Sequence, residues 1–74
     1  MTSNYRVVHR VVKGEHIYVI HEAYYKRNKP ISITEEPVNP QGETKGELKD
    51  DFAYYLRVLE EPMLEFADFD TSRA

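Results

Sequence analysis

Apolar positions dominate two stretches in the first third of the chain. Tyr5-Arg-Val-Val-His-Arg-Val-Val12 and His16-Ile-Tyr-Val-Ile-His-Glu-Ala-Tyr-Tyr25 are dense in β-branched and aromatic residues, the signature of strands. Lys13-Gly14 lies between them, and a two-residue link ending in glycine predicts a tight hairpin. Lys26-Arg-Asn-Lys29 is the next turn, with Asn28 best suited to a left-handed backbone. Ile31-Ser-Ile-Thr34 then reads as a short edge strand. Pro30 cannot donate to a ladder, and Glu35-Glu36 discourages further pairing.

The period changes beyond the Pro37–Gly42 loop. Thr44-Lys-Gly-Glu47 fits a capping box, in which a threonine opens a helix and a glutamate three residues on reaches back to it. Leu48, Phe52, Tyr55, Leu56 and Leu59 follow at helical spacing and make one apolar stripe. Pro62 ends that helix. The pattern predicts an α+β domain, β-β-β-α, with a three-stranded antiparallel sheet and one helix packed on one face. Residues 1–74 form a single domain: sheet about 5–36, loop 37–43, helix about 45–60 and an acidic, apolar tail 62–74.

Alternation along the strands sorts the side chains into two faces. With Lys13-Gly14 as the turn, Val8 sits opposite Val19; with Asn28 closing the second turn, Ala23 falls near Ile31. One face then carries Val8, Val12, Ile17, Val19, His21, Ala23, Tyr25, Ile31 and Ile33, and is expected to receive the helix stripe, with Val19 and Leu56 buried. The other face carries Tyr5, Val7, Val11, Tyr18, Ile20 and Tyr24. One helix covers one face, and a face left to water should read polar. This one does not, so these six residues are the expected contact surface for another protein chain, a second copy included. The rival cover is the tail, through Met63, Leu64, Phe66 and Phe69.

Charge adds a second candidate. Residues 1–29 hold six Lys/Arg against two acids, and residues 30–74 hold four against eleven, so a net charge of −3 is split into +4 and −7. Arg6, Arg10, Lys26, Arg27 and Lys29 could serve RNA phosphates beside the tyrosines. The pI near 5.5 is far from a basic footprint, and Arg6 and Arg10 alternate away from the tyrosine face, which makes nucleic acid the alternative partner.

Little here supports catalysis. With no cysteine there is no disulfide, thiolate site or thiol nucleophile. The acid pairs Glu35-Glu36, Asp50-Asp51 and Glu60-Glu61 have no apolar surroundings to raise a pKa. Gly42 and Gly46 lack the Lys-Ser/Thr pair of a phosphate loop. His9 and His16 fall on one face near Glu22, the ligand types of a transition-metal site, but the spacing matches no tight motif and they read more simply as half-buried strand residues. His21 and Glu22 point to opposite faces, and His21 reads as a histidine at the core edge, bonded to a neighbour. No cofactor or metal is expected. No run approaches a membrane span, and a chain with neither export signal nor cysteine is expected in the cytoplasm.

The segment Gly42-Glu-Thr-Lys-Gly-Glu-Leu48, opening a helix after three strands, resembles the HicB-type antitoxin domain. That family places Gly-x-Thr-x-x-Glu-Ala/Leu after a small curled sheet, and Gly42, Thr44, Glu47 and Leu48 match it. The family's strand after the helix would fall at Met63–Phe66. The strand Ile20–Tyr25 and the stretch Pro40–Thr44 are also similar to those of small bacterial proteins of unknown role. The first resemblance implies a protein that binds and masks another protein. The expected role is therefore a non-catalytic interaction domain, an inhibitor or accessory subunit.

Overall fold

In the computed structural model, described over residues 2–69, β1 (Thr2–Val12), β2 (Glu15–Lys26) and β3 (Lys29–Ile33) precede α1 (Lys45–Val58). A two-residue strand, β4 (Leu64–Glu65), and a 3₁₀ turn over Phe66–Phe69 follow it. Residues 70–74 of the expected tail lie outside the described residues. The fold is α+β, as the pattern predicts, but the sheet has four strands in the order β3-β2-β1-β4. β1, β2 and β3 are antiparallel neighbours, whereas β4 runs parallel to β1, pairing Leu64 with Val8 and Glu65 with His9. The expected three-stranded antiparallel sheet is thus corrected to a mixed one. A fourth strand as short as Leu64-Glu65 carries no alternation to read.

Both hairpin turns use two left-handed residues. Lys13 (φ 51°) and Gly14 (φ 81°) make the first, Arg27 (φ 54°) and Asn28 (φ 65°) the second. Such turns match the right-handed twist of the strands they join. The first sets Val8 opposite Val19, as expected. The second pairs Lys26 with Lys29, and a bulge between Tyr24 and Tyr25 adds a residue, so Ala23 meets Ile33 rather than Ile31. Ile31 is left exposed at the bulge.

The capping box forms as the sequence predicts. Glu47 N–H donates to Thr44 Oγ1 at 3.1 Å, and the Thr44 and Glu43 amides donate to Glu47 Oε2 at 3.1 and 3.0 Å. Gly42 lies tight against this first turn, where a Cβ would stand 2.4 Å from the Leu48 amide nitrogen. The Gln41 amide donates to Asp51 at 2.8 Å and pins the loop to the helix flank.

The helix sits on the face opposite to the expected one. The Tyr5 ring meets those of Tyr54 and Tyr55 at centroid distances of 5.6 and 5.4 Å, and the Val38 amide bonds the Ile20 carbonyl at 2.7 Å. Tyr5 and Ile20 belong to the tyrosine face by register. The Val8 face is covered instead by the segment after Pro62, whose Phe66 lies under Arg10 and 6.4 Å from His21. The reason is topological. Pairing Leu64 with Val8 fixes β4 on the β1 edge, and the next residues fold over the Val8 side. The tyrosine face can accept helix tyrosines, because their hydroxyls reach the rim while the rings pack.

The resulting core is small. Val8, Ala23 and His21 are fully buried, Tyr55 and Val58 nearly so. Val19 is only half-buried. Among the described residues no helix is long and apolar enough to cross a membrane.

Candidate partner-binding surface

Two stripes run side by side along α1. Leu48, Asp51, Tyr55 and Val58 recur at i, i+3, i+7 and i+10, and are the helix residues withdrawn from water. Phe52, Leu56 and Leu59 recur at i, i+4 and i+7 and remain 53%, 64% and 57% exposed. The expectation that Leu56 is buried is overturned. The apolar positions span an arc wider than one curled sheet can cover. The helix turns the Tyr55 edge of that arc inward and leaves the more hydrocarbon edge outside.

The outer stripe walls an open apolar groove. Phe52, Tyr55, Leu56 and Leu59 of the helix line it together with Pro40 and Ile20. Past Ile20 the same sheet face continues to Tyr18 and Val11, exposed at 61% and 53%. Of the six residues expected to meet a partner, Val11 and Tyr18 are open to water. Tyr5, Val7, Ile20 and Tyr24 are half-buried within the chain, Tyr5 by the helix tyrosines. Sequence reasoning assigned Phe52, Leu56 and Leu59 to the core. The signal that could have moved them is the second heptad-like series through Asp51 and Val58.

Burial raises the pKa of the Tyr55 hydroxyl. Desolvation first, then the neighbouring Tyr5 and Asp51, push its pKa up to about 12.

His9 and His16 do come together, but with Glu65 of β4 rather than Glu22. His9 Nδ1 lies 2.7 Å from Glu65 Oε1, and His9 Nε2 lies 2.8 Å from His16 Nδ1. The imidazoles are nearly coplanar, 14° apart with centroids at 5.0 Å, which is edge-to-edge contact along a shared hydrogen bond. A neutral His9 that donates Nδ1–H to Glu65 accepts at Nε2 from His16 Nδ1–H. This chain of bonds clasps β4 to β1 and β2. Two imidazole nitrogens only 2.8 Å apart fit a proton between them better than a metal, whose bonds are each ~2.0–2.1 Å long. Among the described residues no group of three or more ligating side chains is placed to hold an ion. Glu22 instead accepts from Ser3 and Tyr24.

The basic residues disperse. The Arg10 guanidinium stacks 3.9 Å from the Phe66 ring centroid, and its Nε is buried. Arg6 donates to the Tyr5 carbonyl and stands 3.9 Å from Glu61. Lys26, Arg27 and Lys29 remain exposed at the β2–β3 turn. His21 is enclosed as expected, Nδ1–H donating to the Thr34 carbonyl at 2.9 Å.

Set against protein-family models, curated proteins and solved structures, the chain matches none of them, so the meaning of this surface rests on its own geometry.

Proposed function

We propose that the protein is a small, non-catalytic interaction domain that binds another protein chain through the outer stripe of α1 and the adjoining end of the tyrosine face. The carrying observation is the exposure of Phe52, Leu56 and Leu59 on a helix whose other stripe alone packs on the sheet. A contiguous apolar surface of this kind is costly to leave in water and characteristic of an interface. Tyr18 extends it with an amphipathic side chain favoured at such surfaces, and Val11 adds apolar area beside it. The form of the activity we propose is masking or accessory binding, the role that the antitoxin-like Gly42–Leu48 segment implies. RNA binding is the weaker reading, since two of its five cations, Arg6 and Arg10, are engaged inside the chain.

The test compares the wild type with Leu56→Glu in affinity capture from the native host. Circular dichroism of the two should be the same, because Leu56 is 64% exposed. The expected result is a partner chain, either foreign or a second copy of this one, captured by the wild type and lost with Leu56→Glu. Capture unchanged by Leu56→Glu, or tight RNA binding that weakens steeply with salt, would overturn the reading.

A further inference from the structure

We infer that the outer stripe of α1 pairs with the same stripe of a second copy of this chain, as antiparallel helices about a two-fold axis near Tyr55 and Leu56. The inference rests on the partner-binding reading above and names its partner. Two independent features carry it.

The first is spacing. Phe52, Leu56 and Leu59, all exposed, recur at i, i+4 and i+7. That is a narrow seam one helix wide, the pattern by which helices pair with helices. A two-fold axis near Tyr55 and Leu56 sets each Phe52 against the other copy's Leu59 and brings the two Leu56 side chains together.

The second is charge. Lys45 and Lys49 flank the N-terminal end of the stripe, and Glu60 flanks its C-terminal end. None of the three enters an ion pair among the described residues. About that axis, Lys49 of one copy falls roughly 3 Å along the helix from Glu60 of the other, two residues at 1.5 Å each. Both pairs form at once, because a two-fold interface repeats every contact. A parallel arrangement would instead set lysine against lysine and glutamate against glutamate. The stripe is therefore complementary to itself in one direction only.

Sedimentation equilibrium over a wide concentration range is the experiment, applied to the wild type, Leu56→Glu, Lys49→Glu, Glu60→Lys and the double charge swap. A dimer is expected for the wild type and a monomer of unchanged circular dichroism for Leu56→Glu. Each single charge swap breaks two exposed ion pairs and should weaken the dimer by about two- to thirty-fold, and the double swap should restore it. A wild type that stays monomeric throughout overturns the inference. So does a dimer that Leu56→Glu leaves intact, or a double swap no stronger than the singles. Should the wild type be monomeric while Leu56→Glu still loses a foreign chain in host capture, partner binding stands and self-pairing alone falls.

Discussion

The two stripes of α1 differ in the opposite sense to a simple hydrophobic rule. The inner one includes a carboxylate and a phenol, Asp51 and Tyr55, yet it is the one packed on the sheet. The outer one is Phe52, Leu56 and Leu59, and it faces water. The polar groups of the inner stripe are used: Asp51 accepts from the Gln41 amide, and the Tyr55 ring packs on Tyr5 and Tyr54. Shape and hydrogen-bond partners decided which edge folded inward. The greasier edge stays open to water. Greasiness alone is thus a poor guide to the core of so small a domain, since burial there is limited by how much surface one sheet face offers.

The sharpest way to break this contrast is truncation on each side. Tyr55→Ala should cost about 3–5 kcal/mol, enough to unfold most of the population, because it empties the centre of the helix–sheet contact. Leu56→Ala should cost less than about 1 kcal/mol in dilute solution, as an exposed position does. Urea denaturation of the two variants measures both. Similar losses would erase the distinction between the stripes.

A smaller effect tests what aims the helix. Thr44→Ala should lower stability by about 0.5–2 kcal/mol, by leaving the Glu47 amide without its acceptor. A shift of the denaturation midpoint at constant slope is the expected record. An unmoved midpoint would mean that Gly42 and the Asp51 bond alone fix the helix start.

The smallest effect lies on the opposite face, at His21. Burial first, and Arg10 nearby, lower its pKa below the ordinary 6.5, while the Thr34 bond and Glu36 oppose that shift. The unfolded chain therefore takes up this proton before the folded one does. Stability should fall as the pH drops from about 7 through 6.5 and level off below the folded pKa. His21→Gln should flatten that slope relative to the wild type. An equal slope in both proteins would show that His21 is not held neutral in the fold.

The local rules were legible in the residues. Lys13-Gly14 announces its hairpin, Thr44 and Glu47 their cap, Pro62 its stop, and the alternation of side chains through β1 and β2 their register. Four features were not legible, each for a physical reason. The bulge at Tyr24/Tyr25 is a choice between equivalent ladders. β4 is two residues long and held by pairing with Val8 and His9, far away in sequence. Which sheet face the helix takes depends on the path of the chain after Pro62, and no pattern within the strands encodes that path. Glu65 joins His9 and His16 only because β4 lies beside β1. The candidate surface was half legible: Val11 and Tyr18 stand open as expected, but its helical part was hidden among positions that looked like core.

The central claim is that the outer stripe lies outside the fold and inside an interface with a second copy. The thermal midpoint measured as a function of protein concentration tests both halves at once, because self-association stabilises the folded state by mass action. The wild-type midpoint should rise with concentration and Leu56→Glu should stay flat, the two curves meeting at the dilute limit. A flat wild-type curve, or a Leu56→Glu midpoint already well below the wild type at the lowest concentration, would contradict it.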